Sequence, residues 1–373
     1  MLQTSNKKCT GCAVCSYICP QKCIEMKVDD EHFVAPIVNG EKCTNCNLCN
    51  KICPINNKKI EHMEKKCYVG QLKDENKLKK CASGGAFLGI AEYIIESNGK
   101  VFGVSYNNNK LYYEMIDTKK DLHKILNSKY FQCELSSDNY KQIVKCSRDG
   151  MILVSGTPCQ ISAIKNIPRL NIENVIFVEI LCQGIPNKYV IDKFDSEKEK
   201  LKNKKIVNHI FRSKDKYVGK NYLNKYEYDD GSVEYYIGED DPLSLTFQRQ
   251  IFLRESCYKC QYANENRVAD FTIGDYWDND LKNSNIKLEN GISVILCNTE
   301  KANKILLNQS ELYLEQIDYK KAMKTNVPFH NAVKRPFERN FSYKLLKKGI
   351  LPSTVAKITC FKYYLKKIIR REK

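Results

Sequence analysis

Cysteine spacing constrains this chain more than any other feature in it. Between Cys9 and Pro54 the pattern Cys-x-x-Cys-x-x-Cys-x-x-x-Cys-Pro occurs twice, as Cys9, Cys12, Cys15, Cys19, Pro20 and as Cys43, Cys46, Cys49, Cys53, Pro54. Each member of the second set lies 34 positions after its counterpart. The flanks repeat as well: Lys8 and Lys42, Thr10 and Thr44, Ile18 and Ile52. This is an internal repeat. Three thiols spaced two residues apart converge on one point from a short loop, whereas the fourth, ahead of proline, points away from it.

That spacing is the bacterial two-cluster ferredoxin pattern, in which the fourth cysteine of each run ligates the other run's iron-sulfur cube. It predicts Cys9, Cys12, Cys15 and Cys53 on one 4Fe-4S cluster, and Cys43, Cys46, Cys49 and Cys19 on another. A zinc knuckle pairs Cys-x-x-Cys units at longer separations and takes four ligands, not a repeated run of four. A secreted disulfide framework belongs to short chains and lacks this spacing.

The 373 residues leave room for two or three domains, and 42% hydrophobic with 28% charged residues describes an ordinary soluble chain despite 19 cysteines. A reducing cytoplasm is the expected location. The start MLQTSNKKC holds no apolar run, so no signal peptide is expected. No stretch approaches the ~20 apolar residues of a membrane span. The net charge of +17 comes from scattered lysines, with no arginine-rich stripe or stacking-aromatic motif. A solvated basic surface is the first reading, attraction to acidic electron-transfer partners the second, and nucleic acid is not expected.

After Pro54 the segment Ile55 to Lys66 is polar and reads as a linker. Strands and helices then alternate, which argues for an α/β (α+β) body with a mixed sheet behind a small dicluster ferredoxin-like domain. A strand is expected over Tyr68 to Leu72. Phe87, Leu88, Ala91, Ile94 and Ile95 fall at helical spacing, with Ser83 to cap the start and Gly99 to end it. Ser83-Gly84-Gly85 at that start exposes backbone N–H groups, as a pyrophosphate site does; a plain cap with tight packing is the alternative. Strands follow at Val101 to Ser105 and Leu111 to Ile116, a short helix at Asp121 to Leu126, and then Ser128, Lys129 and Tyr130, with Lys129 and Tyr130 positioned to meet an anionic ligand.

Met151 to Val154 reads as a buried strand, followed by Thr157 as N-cap and Pro158 at the first helical position. Cys159 then lies in the first helical turn, where the dipole favours thiolate. It is a metal ligand, a nucleophile or a buried structural cysteine. The strand Val175 to Leu181 ends at Cys182-Gln183-Gly184. Two neighbouring strands ending in cysteine place two sulfurs at the edge where open α/β sheets bind ligands. A helix is expected from Lys188 to Lys202 and a hairpin around Asp230-Gly231. Cys257-x-x-Cys260 is by itself ambiguous between metal and redox dithiol. With Cys159 and Cys182 it makes four thiols, enough for a third cluster. Late strands at Ile292 to Leu296 and Leu312 to Ile317 flank a helix from Lys301 to Asn308. From about Lys320 the chain reads as irregular and then basic. Val355, Ile358, Phe361, Leu365, Ile368 and Ile369 form one apolar stripe, either docked on the body or lying on acidic lipid.

The motifs ASGGAF (Ala82 to Phe87), SKY (Ser128 to Tyr130), GTPCQ (Gly156 to Gln160), ILCQG (Ile180 to Gly184) and CYKC…RVADFTIGDYW occur in this order. Together they resemble the beta-subunit family of the coenzyme F(420)-reducing hydrogenases and dehydrogenases, from Cys67 to about Phe341. The resemblance implies an FAD enzyme that passes electrons between iron-sulfur chains and a two-electron partner. By position it implies FAD contacts at Ser83, Gly84, Gly85, Ser128, Lys129 and Thr157, and third-cluster ligands Cys159, Cys182, Cys257 and Cys260. Lys129 is the candidate to stabilise reduced, anionic flavin. Relatives use the deazaflavin coenzyme, reduce chlorophyll intermediates or accompany bacterial polysaccharide-synthesis enzymes, and this chain looks like the last kind.

The expected organisation is a ferredoxin domain over 1–57, a linker over 58–66, the two parts of a flavin and iron-sulfur body over 67–145 and 146–320, and a basic tail over 321–373. The expected function is that of an anaerobic, cytoplasmic FAD-dependent iron-sulfur oxidoreductase, acting with a redox partner protein or a small-molecule acceptor. The tail offers a peripheral membrane contact. The alternative is a non-catalytic electron-relay subunit of a larger reductase.

Overall fold

The computed structural model describes residues 2, 5, 7–58, 66–107, 109–216, 222–278, 280–324 and 326–365. The two cysteine runs form a pair of short helices, Val14–Ile18 and Leu48–Ile52, entered from left-handed residues at equivalent repeat positions, Ala13 (φ 61°) and Asn47 (φ 63°). A left-handed residue reverses the backbone just before each helix, so the thiol-bearing loop folds back on itself. Between the helices lies a hairpin of β1 (Ile24–Val28) and β2 (Val34–Val38).

The body contributes β3 (Lys66–Leu72), β4 (Lys100–Asn107), β5 (Lys110–Ile116), β6 (Ile152–Gly156) and β7 (Val175–Ile180). It continues with β8 (Ile206–Ser213), β9 (Leu223–Tyr228), β10 (Val233–Ile237), β11 (Phe271–Tyr276), β12 (Ile292–Cys297) and β13 (Leu312–Ile317). Eight of these make one mixed sheet in the order β13-β3-β12-β11-β7-β6-β4-β5. At its centre β4, β6, β7 and β11 are parallel, and the flanking strands are antiparallel. The parallel strands are near-continuous apolar runs because both faces are covered. Leu153, Ile176 and Val178 pack under the helix Ala86–Glu96. Ile152, Val154, Val175 and Phe177 face the opposite way, against the helices Ser137–Asp149 and Pro158–Lys165. The strands β8, β9 and β10 form a separate antiparallel sheet.

The ferredoxin-like unit is built into this body. Cys12, Val14 and Ile52 belong to the same apolar core as Phe102, Tyr140 and Ile161. Phe33 of the hairpin joins a second core with Phe194, Phe252 and Tyr343. Polar contacts pin the seam: Asn166 donates to Ile52 O at 3.1 Å, Gln261 to Pro54 O at 2.7 Å, and the Arg339 guanidinium pairs with Glu31. Of the expected linker, residues 59–65 lie outside the described residues.

Two expectations are corrected. The helix Ala86–Glu96 is capped by Gly85 at φ 80°, not by Ser83, whose hydroxyl donates to Ile292 O at 2.8 Å. Ser83 is drawn away because β12 runs beside the loop and offers a carbonyl. The region after Lys320 is not irregular: it holds helices Tyr319–Lys324, Arg339–Lys347 and Pro352–Thr359. Tertiary burial of Tyr343, Leu346, Val355 and Cys360 against Phe194 and Leu243 stabilises the last two, an effect that local propensity misses. The expected apolar stripe divides: Val355 is buried, Ile358, Phe361 and Leu365 are exposed, and Ile368 and Ile369 lie outside the described residues.

Candidate functional site

The twelve cysteines singled out in the sequence fall into three groups. Cys12 is buried, and its thiol is pushed well up by burial and then by Cys9, Cys15 and Cys53 beside it. Cys15 is pushed up to about 12 by burial, with Cys9 and Cys53 again adding to it. Cys53 therefore sits with the opposite run, as a crossed ligand set requires. Cys19, Cys43, Cys46 and Cys49 line a second hollow together with Cys23. The third group unites Cys182, raised well above an ordinary thiol by burial and then by Cys257, Cys159 and Cys260, with Cys257, raised to about 12 by burial and by Cys159 and Cys260.

Strand ends bring this third group together. Cys159 stands one turn beyond β6, Cys182 two residues beyond β7, and the 3-10 helix Glu255–Lys259 leads to Cys260. Cys159 departs from expectation. Its thiol is raised to about 11 because burial outweighs the hydrogen bonds with the Thr157 hydroxyl and the Gln160 backbone N–H and the nearby Arg254 charge. A thiol held protonated is a poor nucleophile, and a bound metal is what deprotonates it.

The donor chemistry of all three groups suits iron-sulfur cubes. Each offers four thiols in one neighbourhood, and backbone N–H groups point at the sulfurs: Gly11 N lies 3.3 Å from Cys9 Sγ and Gly184 N 3.4 Å from Cys182 Sγ. The Thr157 hydroxyl lies 3.2 Å from Cys159 Sγ. Such bonds stabilise thiolate and tune cluster potential. Among the described residues no three His, Cys, Asp or Glu side chains close tightly enough round one point to hold a single ion.

The groups lie in series. Cys15 packs with Cys23 and Ile24 against Cys19, Cys43 and Cys49, so the second group abuts the first. Arg254 links the first and third: its guanidinium donates to Cys9 O at 3.3 Å and its charge reaches Cys159 and Cys257. Tyr262 lies near both Cys12 and Cys159. Exposure falls from the second group to the first, from exposed Cys46 to buried Cys12, and the third group is intermediate.

Cys182 also lines a cavity of about 780 Å³, within the usual ~300–1,000 Å³ of cofactor pockets. It opens at the carboxyl ends of the parallel strands, with Gly156 and Thr157 after β6, Ile180 to Pro186 after β7, and Gly274, Asp275 and Trp277 at β11. Phe211 and Arg212 of the small sheet, and Tyr222 just before β9, line it as well. Ser83, Gly85, Ser128, Lys129 and Thr157 all line it. Gly84 does not; a Cβ there would come 2.2 Å from Gly70 O and 2.4 Å from Ser293 N, so this glycine serves strand packing. Two helix starts, at Gly85 and Thr157, border the cavity, an arrangement that suits a pyrophosphate.

Lys129 donates to Leu126 O, and burial pulls its ammonium down to about 7. Sequence reasoning missed the other cations of the cavity region. Arg212 on β8 makes a two-pronged pair with Asp275, at 2.5 and 3.2 Å, and its guanidinium lies 5.6 Å from the Trp277 ring centre. Lys214 donates to Leu78 O at 3.0 Å and to Ser83 O, and burial lowers it to about 8. Arg212, Lys214 and Arg254 belong to no motif and are placed only by the fold.

Residues 149–321 match the family model for the C terminus of the coenzyme F(420) hydrogenase/dehydrogenase beta subunit. Among solved structures, the chain is similar to one from the xenon-derivatised F(420)-reducing nickel-iron hydrogenase complex of Methanosarcina barkeri, at 14% identity and a TM-score of 0.48 over 79% of this chain and 91% of that one. No curated protein matches. Residues 149–321, which include all four cysteines of the third group, are thus similar to the C terminus of the coenzyme F(420) hydrogenase/dehydrogenase beta subunit.

Proposed function

We propose that this chain is a cytoplasmic, FAD-dependent iron-sulfur oxidoreductase carrying three 4Fe-4S clusters, on Cys9/Cys12/Cys15/Cys53, Cys19/Cys43/Cys46/Cys49 and Cys159/Cys182/Cys257/Cys260. One observation carries the reading: the three thiol groups form a continuous series from an exposed surface to a cavity whose wall includes Cys182. When bound, clusters carry single electrons and a flavin converts between one- and two-electron steps. The protein's own residues hold and orient. The helix starts at Gly85 and Thr157 receive a pyrophosphate, Lys129 faces the anionic part of a reduced ring system, and Arg212, fixed by Asp275, meets an anionic two-electron substrate or coenzyme. The proposed metabolic settings are bacterial polysaccharide biosynthesis or deazaflavin-linked metabolism, and the proposed partner at the exposed end is a redox protein.

The deciding measurement is cofactor content after anaerobic purification. About 12 irons and one FAD per chain are expected. Serine at Cys257 and Cys260 should remove about a third of the iron and leave the two N-terminal signals. About 8 irons with no flavin would instead fit a non-catalytic relay subunit.

A peripheral contact with anionic lipid belongs to the same proposal. Exposed Ile358, Phe361 and Leu365 recur at helical spacing beside Lys357 and Lys362, the arrangement of an interfacial helix. Among the described residues no helix is long and apolar enough to cross a membrane.

A further inference from the structure

The second thiol group has five members. Cys23 lies outside the repeated pattern, yet its Sγ stands 3.4 Å from Cys19 Sγ and it lines the same hollow as Cys43, Cys46 and Cys49. It is buried at 5% exposure among Ile24, Val38 and the ligand cysteines. The turn that places it is a tight one. Lys22 N donates to Cys19 O at 3.2 Å, and Lys22 adopts φ 48°, a left-handed conformation that costs a non-glycine residue about 1 kcal/mol. This bend folds Cys-Pro-Gln-Lys-Cys back on itself. The repeat supplies an internal control: 34 residues after Cys23 stands Asn57, so the first group has no fifth thiol at the equivalent position.

We infer that Cys23 is a reserve ligand of the second cluster, able to take the place of Cys19. The inference rests on the proposed assignment of Cys19, Cys43, Cys46 and Cys49 to a cluster. The exchange is balanced without any oxidant or reductant. The iron–sulfur bond to Cys19 breaks, one to Cys23 forms, and the proton leaving the Cys23 thiol passes to the departing Cys19 thiolate. The two sulfurs are already in contact, so the shift needs side-chain rotation and little movement of the chain.

Single-ligand variants test this by iron content and by electron paramagnetic resonance of the reduced, anaerobically purified chain. Cys19→Ser should keep the full iron complement and show a second-cluster signal with shifted g values, because ligand and N–H partners differ. Cys53→Ser, with Asn57 in place of a spare thiol, and Cys46→Ser should each lose about one cluster's iron, a third of the total. Cys19→Ser with Cys23→Ser should lose the same third. A Cys19→Ser protein as depleted as Cys46→Ser would overturn the inference, and this comparison stands even if the double variant does not fold. Full iron in Cys46→Ser would remove the cluster assignment itself, and the reserve role with it.

Discussion

Arg254 is the residue whose loss should separate the N-terminal unit from the body. It is 3% exposed, and its guanidinium donates to Val34 O at 3.1 Å, to Cys9 O at 3.3 Å and to Gln132 Oε1 at 2.6 and 3.1 Å, while lying 4.7 Å from the Phe33 ring centre. Replacement by methionine keeps the aliphatic packing and removes every donor. Cys9 O retains the Ser256 hydroxyl at 3.0 Å, so Val34 O and Gln132 Oε1 bear the loss. At about 1–3 kcal/mol for each buried acceptor deprived of its donor, Arg254→Met costs about 2–6 kcal/mol. Relief from burying a charge offsets part of this, so the low end is the working value. About 2 kcal/mol makes local opening of the seam about 30-fold more frequent. Hydrogen exchange over Cys9 to Val34 should speed up by that factor, while the core strands β6 and β7 exchange as before. The positive charge beside Cys9, Cys159 and Cys257 also disappears, so the reduction potentials of the two clusters proposed there should fall. Unchanged exchange in the hairpin together with unchanged potentials would refute the role assigned to this guanidinium.

Three further predictions follow from particular contacts. Burial holds Lys129 near 7, and a bound anion raises it again, so binding takes up a proton above that pH. Affinity for the proposed FAD should therefore fall as pH rises past about 7, and Lys129→Met should flatten that dependence in a fluorescence titration. Gly84→Ala drives a Cβ into the backbone of Gly70 and Ser293 and should cost about 3 kcal/mol or more in thermal unfolding, whereas Ser83→Ala gives up one hydrogen bond, about 1 kcal/mol. Serine at Ile358, Phe361 and Leu365 should abolish flotation with vesicles of equimolar phosphatidylcholine and phosphatidylglycerol; flotation equal to the parent protein, or equal binding to pure phosphatidylcholine, would exclude the acidic-lipid contact.

Much of the secondary structure was legible from local chemistry. The helix Lys188–Lys202, the capped start at Thr157-Pro158 and the hairpin joining β9 to β10 lie where periodicity, capping residues and Asp230-Gly231 put them. Local signals failed where a distant partner decided. Ser83 gives up the cap to reach the β12 carbonyl of Ile292. Phe271–Tyr276 becomes a strand paired to both β7 and β12. The last two helices form because Phe194 and Leu243 cover their apolar faces.

The division between sequence and tertiary structure is clearest in the cysteines. For the two N-terminal runs, ligand grouping is a matter of short loops and a prolyl turn. Residue spacing alone predicts that Cys53 joins Cys9, Cys12 and Cys15, and the structure sets it beside them. Cys159, Cys182, Cys257 and Cys260 span about a hundred residues, and no local rule unites them. They meet because β6 and β7 lie side by side in a parallel sheet and the chain returns past their ends before β11. The same closure creates the cavity, brings Arg212 and Lys214 towards it from the far sheet, and lets Arg254 join the first thiol group to the third. Spacing names what a short loop can hold; which loops face one another depends on long-range strand order, and that is set only when the whole sheet has formed.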